Sequence, residues 1–165
     1  MSWKSSATPA VLTPTSALEH LRRTRQERAI EDLLFSHPGL IDPRLAHPKR
    51  QVTLSKDSRA DLLFEVGHLF ILVEIKRDII RPASLSQIQR YAARLQKAPS
   101  RLRGYLVAPE ITAAALKALK QSPFPLVYRR LGVDIPTTIK VCRQCRHAYD
   151  ARLHRCPRDG QTQVL

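Results

Sequence analysis

The 165-residue sequence has no long apolar run, half as many acidic as basic residues, and only three cysteines. No stretch approaches the roughly 18 consecutive apolar residues of a membrane span. The opening MSWKSSATPAVLTPTSALEH lacks a basic segment followed by a continuous apolar one. No signal peptide is therefore expected, and the cytoplasm is the default location. So few cysteines in a chain without an export signal argue against a disulfide framework. No internal repeat is visible, and the composition is neither collagen-like nor disordered throughout.

What is present is charge of one sign. Lys and Arg number 28 against 14 Asp and Glu, a formal net charge of +14 with a pI near 10.6. Such a chain attracts polyanions, nucleic acid first among them. The basic residues are mostly Arg, which suits bidentate phosphate contact. No Lys-rich amphipathic helix with a bulky apolar face is found, so no membrane partner is expected. The length suits one domain with a proper core and a small appendage.

Residues 1–16 are rich in Ser, Thr, Pro and Ala and read as a disordered tail. A helical pattern runs from Ser16 through Leu18, Leu21, Ile30, Leu33 and Leu34 to about Ser36, where His37-Pro38-Gly39 breaks it. Residues 51–55 have strand composition, Lys56 to Arg59 a turn, and Asp61 to Val66 a second strand. Leu69 to Lys76 is apolar enough to be a central strand covered on both faces. Ser84 to Lys97 reads as a helix with Ser84 as its N-cap. A strand at 105–107, a helix from Ile111 to Lys120 and a strand at 126–128 follow. Short early connections imply antiparallel pairing, and the later β-α-β crossovers parallel pairing. The expected fold is α/β: a mixed sheet flanked by helices over 17–131, a linker at 132–140, and a small cysteine-bearing unit at 141–165.

Asp61 heads one expected strand, and Glu74 ends the next. Glu74 and Lys76, two apart on a strand, share a face. A hairpin brings Asp61 beside them, so two carboxylates and a lysine meet at one rim of the sheet. Metal-assisted phosphodiester cleavage needs this trio. Asp61, Glu74 and the Ile75 carbonyl would hold Mg²⁺ or Mn²⁺ with water positions open. Lys76 would orient water and stabilise developing charge. Arg59, near the site, could contact phosphate.

Asp61…Glu74-Ile75-Lys76 resembles the PD-(D/E)xK nuclease signature. The wider context is similar to RecB-like, NucS-type endonuclease domains. The matching segments are Ile30-Glu31-Asp32-Leu33-Leu34, His37-Pro38-Gly39-Leu40-Ile41, Arg59-Ala60-Asp61-Leu62-Leu63, Val73-Glu74-Ile75-Lys76-Arg77, Gln87-Ile88-Gln89-Arg90-Tyr91 and Tyr105 to Ile111. They span roughly 27–120, in the family's order. The resemblance implies a restriction-endonuclease-like fold and a metal-dependent endodeoxyribonuclease, in repair or in defence against foreign DNA. It implies Asp61 and Glu74 as metal ligands, Lys76 as the catalytic lysine, and Glu31 as an outer carboxylate. Gln87 and Tyr91 would face the site and touch water on the metal or the DNA backbone. Ala60 stands where the motif's proline would be, as is common among RecB-like members. NucS-type proteins carry an N-terminal binding and dimerisation domain where this chain has a short tail, so mismatch specificity does not carry over. Double-strand cutting would favour a homodimer.

Cys142-Arg-Gln-Cys145 is one knuckle of a zinc ribbon. Cys156-Pro-Arg-Asp159-Gly160 occupies the place of the second. Four ligands on two such turns clamp one Zn²⁺, which supplies the folding energy that so small a unit lacks. Position favours Asp159 as fourth ligand; coordination chemistry favours His154 or His147. The ribbon's arginines could grip DNA or dock a protein partner. Two other readings stay open: an inactive nuclease-fold module that only binds nucleic acid, and a zinc-ribbon regulator with the core as scaffold.

Overall fold

The structure, a computed structural model, describes residues 26–56 and 58–160. The tail at 1–16, the first turns of the expected opening helix and the end of the ribbon at 161–165 lie outside the described residues. The described part of that helix, α1, covers 26–36. It ends in a 3-10 turn, Pro38–Leu40, as the His-Pro-Gly breaker requires.

Five strands follow in one sheet: β1 (Lys49–Ser55), β2 (Ser58–Val66), β3 (Leu69–Ile75), β5 (Leu102–Ala108) and β7 (Leu126–Arg130). Their spatial order is β1-β2-β3-β5-β7, with β1, β2 and β3 antiparallel and β3, β5 and β7 parallel. A second pair, β4 (Ile79–Ile80) and β6 (Glu110–Ile111), is parallel. Helices α2 (Pro82–Arg94) and α3 (Ala113–Leu119) make the crossovers. Pro82 is the first residue of α2, with its fixed φ, so Ser84 sits at the third position rather than at the N-cap. There its hydroxyl accepts the Arg81 N–H at 3.4 Å. Thr112 caps α3 by accepting the Ala115 N–H at 3.1 Å. Among the described residues, no helix is long and apolar enough to cross a membrane.

The central position of β3 explains its composition. Ile71, Val73 and Ile75 point to one face, packed with Leu34 of α1, Leu40, Ile41 and Leu45. Leu72 points to the other, packed with Leu85, Ile88 and Tyr91 of α2. Gly104 on β5 marks the tightest approach. A Cβ there would lie 2.4 Å from Leu126 Cδ2 and 2.9 Å from Ile88 Cδ1. Gly104→Ala is expected to lower stability by about 1–3 kcal/mol through overpacking, measured as a fall in the denaturant midpoint at unchanged slope.

The stretch read as a linker, 132–140, is folded at its start. Ile135 is fully buried against the α1 face of the sheet, and Gly132 N–H donates to Ile135 at 2.7 Å. A short hairpin, β8 (Ile139–Val141) and β9 (Ala148–Asp150), then carries the cysteines. Ala148 joins the same apolar cluster as Leu34 and Leu40, so the hairpin leans on the α1 face of the sheet.

Candidate active site

Asp61 lies inside β2, three residues from its start, not at its head as expected, because β2 begins at Ser58. The β2–β3 register ends at Leu62↔Val73, and the β1–β2 register passes from Arg50↔Leu62 to Val52↔Ala60. Asp61 therefore sits where both ladders are interrupted. Its Oδ2 accepts the Ile75 N–H at 2.8 Å, substituting a carboxylate for a backbone partner. This bond ties Asp61 to the end of β3, where Glu74 and Lys76 stand.

Glu74 is 1% exposed, among the most buried side chains of the protein. Its Oε1 accepts from Lys76 Nζ at 2.5 Å, while its Oε2 is buried without a hydrogen-bond partner. The Lys76 N–H donates to the Val107 carbonyl at 2.8 Å, which fixes the lysine's stem against β5. Burial pushes the Glu74 carboxyl up to about 8, and the neighbouring Asp61 charge adds to it. Burial also raises Asp61 to about 6, against the pull of the Ile75 N–H and Lys76. For Lys76, burial opposes the charge, but Glu74 and Asp61 outweigh it and hold the ammonium above its ordinary range. Two carboxylates so close in so little water resist being ionised together.

These groups line a cavity of about 420 Å³ with Ile75, Gln87 of α2 and Glu31 of α1. Glu31 is held by Arg50 at 2.5 Å and by Gln51 Nε2 at 2.7 Å. Gln87 hydrogen-bonds the Tyr91 hydroxyl one turn along α2. Tyr91 itself is buried in the core and does not line the cavity. Of the residues singled out in the sequence, Glu31, Asp61, Glu74, Ile75, Lys76, Gln87 and Arg59 are thus brought together; Tyr91 stands behind Gln87.

Four cavity residues escaped the sequence reading: Glu27, Arg28, Arg50 and Gln51. Glu27 precedes Glu31 by one helical turn, a spacing that puts both on one face and was open to detection. Gln51 had no local signal. It takes a left-handed φ of 49° within β1, a conformation a non-glycine residue adopts at a cost of roughly 1 kcal/mol or more. Four carboxylates in one cavity of a protein of charge +14, walled by Arg28, Arg50, Arg59 and Lys76, make a cation site approachable by a polyanion.

A second cluster lies in the cysteine hairpin. One ligand atom from each of Cys142, Cys145, Cys156 and Asp159 falls within 4.8 Å of all the others. The Cys145 and Cys156 sulfurs are 3.6 Å apart, and Cys142 Sγ lies 2.9 Å from Asp159 Oδ2. Tetrahedral zinc thiolates would be about 3.8 Å apart. The two turns have the same build. The Arg146 N–H donates to the Cys142 carbonyl and the Gly160 N–H to the Cys156 carbonyl, each at 2.9 Å, and both residues have positive φ. His147 and His154 are outside the quartet.

No family model matches the chain. It is 31% identical over 100 residues to Endonuclease NucS 1 of Halobacterium salinarum, an alignment covering 56% of this chain and 40% of that protein. Among solved structures it resembles an EndoMS–dsDNA complex, with a TM-score of 0.55 and 22% identity over 64% of this chain and 44% of the other. It also resembles a repair endonuclease from Pyrococcus abyssi, with a TM-score of 0.54 and 24% identity over 63% and 46%. The fold is restriction-endonuclease-like. The chain spans less than half the length of the proteins it matches.

Proposed function

We propose that this chain is a divalent-metal-dependent DNA endonuclease of the NucS type that works in DNA repair, with a zinc ribbon packed against the nuclease core. The observation that carries the reading is the meeting of Asp61, Glu74 and Lys76 in one cavity, with Glu74 Oε2 buried and unpartnered. Such an oxygen calls for a cation. The donor set is all oxygen, which suits Mg²⁺ or Mn²⁺. Asp61, Glu74 and the Ile75 carbonyl would hold the ion, which when bound supplies Lewis acidity toward the phosphate and acidifies water.

The chain's own groups do the rest. Lys76 presents a fixed ammonium to charge developing on the phosphate. Glu31, clamped by Arg50 and Gln51, offers an acceptor to water entering the cavity. Gln87, steadied by Tyr91, offers its amide to the nucleic-acid backbone. Arg28 and Arg59 attract flanking phosphates. The relatives' names support DNA as the substrate: one solved neighbour is an EndoMS–dsDNA complex and another a repair endonuclease.

The test is cleavage of labelled single-stranded, double-stranded, branched and mismatched DNA by the purified chain, with Mg²⁺, Mn²⁺ or EDTA. Asp61→Ala runs alongside. Metal-dependent cutting that disappears in the variant is expected. Salt-sensitive binding without cutting, unchanged in the variant, would replace the reading with a non-catalytic DNA-binding module.

A pH dependence follows. The apo Glu74 carboxyl is raised to about 8 and Asp61 to about 6, so a cation entering at neutral pH must displace protons. Its apparent affinity should therefore rise between pH 6 and 8, by up to about tenfold per unit. Calorimetry of Mn²⁺ binding in two buffers of different ionisation enthalpy reads the proton release. A flat profile across this window would mean that both carboxyls are already ionised in the apo protein.

A further inference from the structure

We propose that Cys145 is a thiol-modification site, reached by small anionic disulfides through the groove between the α1–β1 connection and the cysteine hairpin. The inference rests on the zinc-ribbon reading and gives one of the ribbon's ligands a second chemistry. The three cysteines are not equivalent. Cys142 and Cys156 are 0% and 1% exposed. Cys145 is half-buried, and it is the cysteine that lines the groove. The groove encloses about 1050 Å³, room for a molecule the size of a tripeptide disulfide. Its lining residues include Arg146 and Arg158, both exposed, and no aspartate or glutamate. A partly exposed cysteine in electropositive surroundings has the setting of a reactive thiol. The same arginines favour an incoming molecule that carries carboxylates.

The cluster itself supplies the second partner. Metal binding holds Cys145 as a thiolate, the nucleophile of disulfide exchange. Its sulfur attacks one sulfur of the incoming disulfide. The reagent's S–S bond breaks, one of its thiolates leaves with the electron pair, and Cys145 is left in a mixed disulfide. Cys156 Sγ, on the facing turn, stands 3.6 Å from Cys145 Sγ. It attacks the Cys145 sulfur, forms the Cys145–Cys156 bond and expels the second reagent thiolate. Two protein thiolates are oxidised, the reagent disulfide is reduced to two thiolates, and no proton is consumed. Cys142 and Asp159 are then the remaining members of the quartet. A structural zinc site takes four ligands, so the ion is released. Excess reduced thiol runs the exchange backwards and lets zinc return.

The test uses the full chain loaded with zinc and follows metal release with a chromogenic chelator at low ionic strength. The probes are glutathione disulfide, which is anionic, hydroxyethyl disulfide, which is neutral, and cystamine, which is cationic. Glutathione disulfide should release zinc at least about tenfold faster than cystamine, and added salt should narrow the gap. Arg146→Asn combined with Arg158→Ala should keep its zinc and lose the preference for the anionic reagent. Asn tolerates the positive φ at Arg146. Peptide mapping after the free thiols are blocked should find Cys145 joined to Cys156. Reduced glutathione with added zinc should restore the starting metal content. Equal release by all three reagents, or a preference that survives both salt and the double variant, would overturn the proposal. So would a disulfide made through Cys142. Should the double variant fail to hold zinc, the salt dependence of the native chain decides. A chain that binds no zinc would remove the ribbon reading and this inference together. A zinc-loaded chain whose Cys145 does not exchange would sink the inference and leave the ribbon standing.

Discussion

Glu74→Gln protein should cut no DNA and yet melt higher than the native chain in metal-free buffer at pH 8. The folded apo state holds a proton on Glu74 up to about pH 8, whereas an unfolded glutamate releases it near its ordinary value of about 4.5. A raised carboxyl pKa contributes stability below the unfolded value and loses it as pH rises through the folded one. At pH 8 the native protein therefore bears most of the cost of an ionising carboxylate that is itself buried. Glutamine fills the same volume without charge. A gain on the order of 2–4 kcal/mol is expected, or roughly 5–10 °C in Tm for a chain of this size. Near pH 4 the native carboxyl is protonated in both states, and the gain should vanish. Activity should fall by at least about a thousandfold, because an amide cannot replace a carboxylate toward a divalent cation. Calorimetric melts at pH 4 and 8, beside the cleavage assay, check both halves. A variant equally stable at both pH values would show that Glu74 bears no such cost. A variant that still cuts would remove Glu74 from the catalytic set.

The meeting of Asp61, Glu74 and Lys76 in one cavity was legible in the sequence. LFILVEIK is a continuous apolar run, as a strand covered on both faces needs, and a glutamate and a lysine at its end contradict burial. The contradiction points to chemistry. The mixed five-stranded sheet followed from connection lengths by the same kind of reasoning. The walls of the cavity were not legible. Arg50 and Gln51 are ordinary polar residues on an edge strand, and nothing local announces that Gln51 leaves the β region to reach Glu31. That depends on where α1 packs, a long-range matter. Tyr91 shows the converse: its spacing from Gln87 was readable, but its burial beneath Gln87 depends on the packing of α2 against β2 and β3. The folded start of 132–140 was hidden because Val133 and Ile135, set among Gly, Asp and Pro, are too few to show a period. Ile135 is nonetheless fully buried.

Chelating the zinc proposed for the hairpin should unfold residues 139–160 and leave the five-stranded sheet standing. Two paired strands of three residues each cannot hold a fold by themselves. The hairpin's own cluster comprises Cys142, Cys145, Cys156 and Tyr149, and the Tyr149 hydroxyl is buried without a hydrogen-bond partner. Apolar burial of that size is small beside the roughly 10–16 kcal/mol that a structural zinc site contributes. The sheet, in contrast, has its own core on both faces, and Ile135 anchors the chain before the hairpin begins. Hydrogen exchange after chelation should show protection lost across β8 and β9 and kept in β3 and β5. Asp159→Asn should weaken zinc binding by at least about 100-fold, while His147→Ala and His154→Ala should retain the metal. Geometry and intrinsic preference pull apart at the fourth position: imidazole is the better zinc ligand, but Asp159 stands where the second turn delivers a donor, 2.9 Å from Cys142 Sγ. Retention of metal by Asp159→Asn and its loss in either histidine variant would assign the fourth position to histidine, and the hairpin would then have to close differently around the ion.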